Sequence, residues 1–558
     1  VFLVEYKGMV DSLTKESSIT DCTPNPDQNC ILAAIDIGTN SIHMVVVQID
    51  PVLPSFTIIA REKDTVRLGD RHPKTGELTP EAMERSLGAL QRCQELAKSC
   101  NAKQIVAVAT SAMREAPNGR TFLKQIESEL GLFVNLISGQ EEARRIYLGV
   151  LSGMEFNNQP HAIIDIGGGS TELILGDSHE PRYLSSTKIG AVRLTAEFIT
   201  TDPISHGEFQ YLQAYIRGML ERPVEELLSH RQPGEELRLV GTSGTIETLA
   251  TMHAREKLGT VPNILNGYQM SRKDLKEMVK RLASMSCAER GAISGMSDRR
   301  SEIIVAGAII LVEAMTMLGV ECLMIGERAL REGMIVDWML THGLIEDRLR
   351  YQGSVRERSV LKIAQKYQVN SEYSQRVANL VLSLFNQTKG HLHNWNCEER
   401  ELLWAAAILH NCGLYVNHSA HHKHSYYLIR HAELLGFLET EIEIIANLAR
   451  YHRGNTPKKK HESFSNLPSK KHRQLVCQLS ALLRLAVALD RRQIGAVARV
   501  QCEYRPNEKE LHLHLFPARS GDDCALELWS LNYKKGVIEE ELGIKLVATL
   551  ESAPVTVS

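Results

Sequence analysis

The densest cluster of phosphate-handling groups is Asp165-Ile166-Gly167-Gly168-Gly169-Ser170-Thr171-Glu172, set between the apolar runs Ala162–Ile164 and Leu173–Leu175. Three consecutive glycines let the backbone turn tightly and bring its N–H groups close to a ligand. Those N–H groups, with the Ser170 and Thr171 hydroxyls, suit phosphate oxygens. Asp165 and Glu172 supply hard oxygen ligands of the kind magnesium takes. An ordinary glycine-rich hairpin has the same local composition, so the stretch gains meaning from what accompanies it. Asp36-Ile37-Gly38-Thr39-Asn40-Ser41 repeats the pattern, again between apolar runs. Two copies of strand, acidic turn and strand predict two similar lobes with a cleft between them, Thr39, Asn40 and Ser41 opposing Gly167–Ser170. The copies differ chemically: aligned by register, His43 stands where the second copy has Glu172.

Three further segments carry candidate groups. Arg114 follows the apolar run Ile105–Ala109, just beyond a strand's C-terminal end, where open α/β sheets place ligand contacts. Leu237–Val240 leads into Gly241-Thr242-Ser243-Gly244-Thr245, a candidate phosphate or nucleotide contact through Gly241, Ser243 and Gly244. Glu141 and Glu142 sit with Arg144 and Arg145 at a helix start, where the dipole alone favours carboxylates. Position by itself therefore assigns that pair no chemistry.

The elements that must hold these groups follow from the patterning. The run before Asp165 is short, bounded and β-branched, which favours a buried strand. Further strands are expected near 31–37, 42–47, 56–63, 105–109 and 134–137, then 237–240 and 322–325. Thr79-Pro80 reads as an N-cap with proline at the first helical position, opening a helix to about Cys100. Helices are also expected over 205–229 and 301–317, with another opening at Ala329.

Bulk properties narrow the class. A length of 558 residues predicts roughly three to four domains, and 43% hydrophobic with 23% charged residues is ordinary globular composition. The net charge of −3 makes the molecule no polyanion binder on average, so any basic surface must be local. Eleven scattered cysteines without a CxxC pair argue against a disulfide framework or structural zinc and fit a reducing cytoplasm. No apolar run approaches the roughly 18 residues of a membrane span. Residues 1–30 read as a polar leader lacking the apolar core of a secretory signal.

Taken in order, the Asp36–Ser41 turn, Ile137–Arg144, the Asp165–Glu172 stretch, Gly241–Thr245 and Ala329-Leu330-Arg331-Glu332-Gly333 closely resemble the exopolyphosphatase/guanosine pentaphosphate phosphohydrolase family. The resemblance spans about 31–340 strongly, and its looser continuation matches the long form of the family. It implies an α/β fold of two actin-like (RNase H-like) lobes, here 31–155 and 156–340. A helical HD-like domain over 341–497 and a small C-terminal α/β domain over 498–558 would follow. It also implies release of orthophosphate from inorganic polyphosphate or guanosine pentaphosphate, with magnesium, by a cytoplasmic homodimer. Carried over position by position, Glu142 matches the catalytic base. Asp165 and Glu172 match the acids associated with magnesium and the attacking water, and Arg114 the phosphate-contacting arginine. Thr39, Asn40, Ser41, Gly167, Gly168, Gly169 and Ser170 match the phosphate-cradling turns.

The C-terminal third is histidine-rich. Glu401–Asn411 resembles the signature helix of HD phosphohydrolases, but Asn411 replaces the metal-binding aspartate, so an HD fold without its metal chemistry is expected; Asp490 is positioned as the distant acid. His418, His421, His422 and His424 are metal ligands by clustering or, more ordinarily, the lining of a polar groove. Arg450, Arg453, Lys458, Lys459, Lys460, Lys470, Lys471 and Arg473 form either a solvated face or a local positive track for a long polyanion. Few aromatics interleave, which disfavours single-stranded nucleic acid.

These observations favour an exopolyphosphatase, with guanosine pentaphosphate as the alternative substrate of the same cleft. A kinase of the same actin-like superfamily would need a carboxylate to activate an acceptor hydroxyl, and the adjacent Glu141-Glu142 pair with Gly167–Gly169 fits a hydrolase better. A non-catalytic nucleotide sensor would have lost Glu142 or Glu172, and both are present.

Overall fold

The computed structural model describes residues 30–51, 55–156, 159–345 and 355–551; the expected leader lies outside these apart from Cys30. The first lobe is a five-stranded sheet of β1 (Cys30–Ile37), β2 (Ile42–Asp50), β3 (Ser55–Asp64), β4 (Gln104–Ala109) and β5 (Val134–Leu136), in the order β3-β2-β1-β4-β5. β1 to β3 form an antiparallel meander and β4 and β5 run parallel to β1. The second sheet holds β6 (His161–Ile166), β7 (Thr171–Gly176), β8 (Pro181–Thr187), β9 (Arg238–Thr242), β10 (Gln269–Ser271) and β11 (Cys322–Ile325). Its order β8-β7-β6-β9-β11 reproduces the first, with β10 added at the edge. The internal repeat read from two short turns thus extends to the topology of both lobes. The register agrees as well: Asp36 pairs with His43 and Asp165 with Glu172.

Every residue of β6 and β7 is buried, as continuous apolar strands covered on both faces require. One face of each sheet packs into a shared core. Leu32, Ala34, Val45 and Val47 of the first lobe join Ile163, Ile174 and Val240 of the second around Tyr147, Met334, Ile335 and Trp338. The last four belong to the helices Gly139–Leu151 and Leu330–Thr341. These cross in backbone contact: a Cβ on Gly149 would lie 1.9 Å from the Ala329 carbonyl oxygen, and one on Gly333 1.7 Å from that of Arg145. Only glycine permits that approach. Arg144 and Arg145 brace the crossing by pairing with both Glu141 and Asp337.

The helix expected over 301–317 forms as two pieces, Asp298–Ser301 and Ile304–Met317. Beyond the lobes the described residues form the helices Val355–Lys366, Ser371–Thr388, Cys397–Leu409, His421–Arg430, Glu439–Tyr451 and Lys470–Leu489, among others. A three-stranded sheet follows, β12 (Val497–Arg505), β13 (Glu510–Pro517) and β14 (Lys545–Leu550), in that order. Leu511, Leu513 and Leu515 alternate inward from β13 and share one core with Leu384, Leu479 and Leu483 of the helices. Helices and terminal sheet therefore fold around a common interior.

Candidate active site

The two acidic turns face each other across the lobes. Each is closed by the same backbone bond, Gly38 N–H to the Ser41 carbonyl at 3.0 Å and Gly167 N–H to that of Ser170 at 2.9 Å. A Cβ on Gly169 would lie 2.6 Å from Ser111 Oγ and 2.7 Å from Thr39 Oγ1, so hydroxyls of the first lobe approach the backbone of the second directly. Gly190 packs equally closely behind Gly168. The result is a cavity of about 170 Å³ lined by Gly38–Ser41, Thr110, Ser111, Gly167–Ser170 and Ser243–Thr245, with Asp36, Glu142 and Asp165 projecting into it.

Charges of both signs line this cavity, and Glu247 lies among its cations. At one end Asp36, Glu142 and Asp165 converge, with Glu172 immediately behind, its carboxylate accepting from Ser186 Oγ at 2.7 Å. Burial raises Asp36 to about 6 and Glu172 to about 7. Burial and then the neighbouring carboxylates, Glu172 foremost, push Glu142 and Asp165 well above the usual carboxylate range. Arg114 opposes this: it donates to Glu142 Oε2 at 3.3 Å from both guanidinium nitrogens and is anchored on the Ile137 carbonyl at 2.7 Å. At the other end lie Lys63, Arg300 and Arg331, with His43 held neutral, its pKa lowered to about 3 by burial and by those cations. Gly244 makes room for Arg300, since a Cβ there would stand 1.9 Å from its guanidinium. Ser243, at φ 84°, holds a conformation that costs a non-glycine residue on the order of 1–3 kcal/mol, and its Oγ donates to the Ile166 carbonyl at 2.7 Å.

Most expected contacts meet here. Thr39, Asn40, Ser41, Gly167, Gly168, Gly169, Ser170, Ser243 and Gly244 all line the cavity. Two do not. Gly241 lies within β9, where its missing Cβ admits Leu323 and Ile246. The fully buried Thr171 donates its hydroxyl to the Ile189 carbonyl at 2.6 Å. Both serve packing. Arg114 and Glu172 reach the site through Glu142. Asp36, Lys63, Arg300 and Arg331 escaped the sequence reading as site residues. The repeat could have supplied Asp36, as the counterpart of Asp165, and Arg331 lies in the Ala329–Gly333 segment. Lys63 and Arg300 carry no local signal.

A profile of the Ppx/GppA phosphatase family matches residues 45–342, and one for domain III of that family matches 355–535. The chain belongs to the Ppx/GppA phosphatase family. Among its relatives is the guanosine-5'-triphosphate,3'-diphosphate pyrophosphatase of Vibrio vulnificus, 31% identical over 83% of this chain and 87% of that protein. The protein of the same name from Photobacterium profundum is 29% identical over the same shares. The crystal structure of an exopolyphosphatase from Cytophaga hutchinsonii superposes with a TM-score of 0.52 at 27% identity, over 56% of this chain and 98% of that one. Like other Ppx/GppA phosphatases, this one is a phosphoanhydride hydrolase.

The C-terminal candidates are placed as follows. Lys458, Lys459, Lys460, Lys470, Lys471 and Arg453 are exposed. Arg450 lies over the Tyr426 ring at 5.3 Å, and Arg473 donates to the Leu467 carbonyl. None of them lines the catalytic cavity or the cavity that adjoins it. Asp490 has both oxygens engaged, by Arg376 at 2.9 Å and by Gly495 N–H at 2.8 Å, so the expected distant acid is a structural group.

Proposed function

We propose that this Ppx/GppA phosphatase removes the terminal phosphate of inorganic polyphosphate by magnesium-assisted hydrolysis. The observation that carries the reading is the set of cations Lys63, Arg300 and Arg331 that lines the catalytic cavity beside the two turns. Lys63 and Arg331 also line an adjoining cavity of about 680 Å³ together with Arg61 and Arg328, interspersed with Glu62, Glu247, Glu327, Glu332 and Glu433, the last paired with Arg328. Among the described residues neither cavity is lined by Phe, Tyr or Trp, the side chains on which a nucleobase stacks. The next phosphates of a chain would therefore lie along Lys63, Arg300 and Arg331, while the terminal phosphate rests on the N–H groups and hydroxyls of the two turns.

Glu142 then orients the attacking water and takes its proton, with Arg114 keeping part of the carboxylate ionised. Because a phosphoanhydride has a good leaving group, positioning and charge stabilisation account for most of the catalysis. A hard divalent cation fits the acidic end. Asp36 Oδ1 is buried without a hydrogen-bond partner, and Asp36, Asp165 and Glu172 repel one another in a dry site. Asp36 and Asp165, with Glu172 behind them, would hold magnesium, which would neutralise charge on the transferring phosphoryl group.

Guanosine pentaphosphate is the second reading. The relatives that span 83% of this chain are named for it. The adjoining cavity also holds Glu62, Glu247, Glu327, Asn263 and Asn266, suited to the hydrogen-bond donors and acceptors of a nucleoside. We read the helical region as an HD-like fold without metal chemistry, and a cytoplasmic homodimer as the working assembly, on the family resemblance. Orthophosphate release from long-chain polyphosphate and from guanosine pentaphosphate, assayed in parallel with and without magnesium, tests the proposal. Release from both, or from polyphosphate alone, and only with the cation supports it; release from the nucleotide alone replaces it with the second reading.

A further inference from the structure

We propose that the helical region carries a second phosphate-binding site, separate from the cleft, formed by His410, His421 and His452 with Lys534, Arg453 and Arg484. The three imidazoles come from different segments and meet in the interior, the ring of His452 lying 4.9 Å from that of His410 and 5.5 Å from that of His421. His410 and His452 turn Nδ1 to a backbone carbonyl, of Ala407 at 2.7 Å and of Ala449 at 2.6 Å respectively, whereas His421 Nδ1 lies between the His418 carbonyl at 3.2 Å and Arg453 Nη1 at 3.3 Å. In His410 and His452 the nitrogen facing a carbonyl must donate, which leaves Nε2 as the free acceptor. In His410, fully buried, and in His421, that nitrogen is buried with no partner. A buried polar atom without a partner is costly and calls for a ligand.

The charges around these rings are of one sign. Lys534 is acted on by Arg491, Arg484 and Arg453, and its pKa falls to about 8 through burial and then those cations. Its charge, in turn, reaches His410 and His452. Arg453 Nη1 stands 3.3 Å from His421, and Arg484 is fixed by the carbonyls of Tyr451 and Asn455. Among the described residues no carboxylate compensates Lys534, since Asp490 is committed to Arg376. A metal cation would add charge to an uncompensated positive pole. A carboxylate would satisfy the cations and leave the ring acceptors empty. A hydrogen phosphate dianion meets both demands, its ionised oxygens accepting from Lys534 and Arg453 and its P–OH donating to an imidazole Nε2. The ligand is free orthophosphate or the end group of a longer phosphate chain.

Equilibrium dialysis of labelled orthophosphate against the full chain, without divalent cations, reads the site directly. Lys534→Met should weaken one class of phosphate binding at least about tenfold, equivalent to ~1.4 kcal/mol, and spare the class competed away at the cleft. Histidine-selective NMR of the unsubstituted protein provides a second readout that does not depend on the variant's folding. Orthophosphate should shift the ring signals of His410 and His452, assigned through His452→Gln. Shifts with tripolyphosphate but not orthophosphate identify a chain end as the ligand and uphold the site. Unmoved ring signals with either phosphate, full binding by a folded Lys534→Met, or stoichiometric binding of zinc alone at these rings would each overturn the proposal.

Discussion

Glu142 works in tension between two influences. Burial and Glu172 favour its protonated form, whereas Arg114 favours the carboxylate that a base requires. Glu142→Gln keeps shape and removes basicity, so turnover should fall by about 10²- to 10⁴-fold while binding of the phosphate chain persists; phosphate release and filter binding measured on one preparation decide it. Arg114→Met withdraws the lowering influence. The Glu142 pKa then rises further, and the acid limb of the kcat/KM profile moves to higher pH. A profile that falls in height without moving would place Arg114 on the substrate instead. The residue types of this site were readable because phosphate chemistry leaves a compact trace in glycines, hydroxyls and acids. Arg300 was not readable. Its place beside the cleft depends on the missing Cβ of Gly244, more than fifty residues earlier in the chain.

The helices Gly139–Leu151 and Leu330–Thr341 show what patterning reveals and what it hides. Their existence and starts were legible: Ser138 caps the first by accepting from Glu141 N–H at 3.2 Å, and the Ala329–Gly333 motif opens the second. Their backbone contact was not legible, because glycine in a helix reads locally as a weak helix former and nothing more. Gly333→Ala would place a methyl 1.7 Å from a carbonyl oxygen that cannot retreat within its own helix. Overpacking of this kind costs about 1–3 kcal/mol or more. We expect a lowered melting temperature, together with a loss of kcat beyond that of an equally destabilised variant in the terminal sheet. The same limit applies to the C-terminal strands. The family resemblance implied a small C-terminal α/β domain, but the merger of β13 with the helical core depends on tertiary packing that no local period records.

The acidic end of the cleft makes the stability of the whole protein depend on pH and cation together. Asp36 and Glu172 hold their protons to about 6 and about 7, against ordinary values of 3.8 and 4.5. The folded state thus binds protons more tightly than the unfolded chain. Their contribution is fully present below pH ~4 and is lost as pH rises through 6 to 7. Without divalent cation the melting temperature should decline across that window. Magnesium should restore it at pH 8 and have little effect at pH 5, and equal stabilisation at both would remove these carboxylates as its ligands. The exposed lysines give a second test. Neutralising Lys458–Lys460 with Lys470 and Lys471 should weaken hydrolysis of long polyphosphate more than that of triphosphate. Equal loss on both substrates would reduce them to a solvated face.

The glycine crossing also determines what opening of the molecule can do. The contact lies at Arg145 to Gly149 on one helix and Ala329 to Gly333 on the other. Glu142 is thus about one turn, ~5 Å, from the fulcrum, and Arg331 is within it. Points near a fulcrum travel little. Were the lobes to turn about this crossing, their outer edges would move most, while the base and Arg331 would keep their separation. In such a turn, access to the cleft would change by leverage without disassembling the groups that act on the bond.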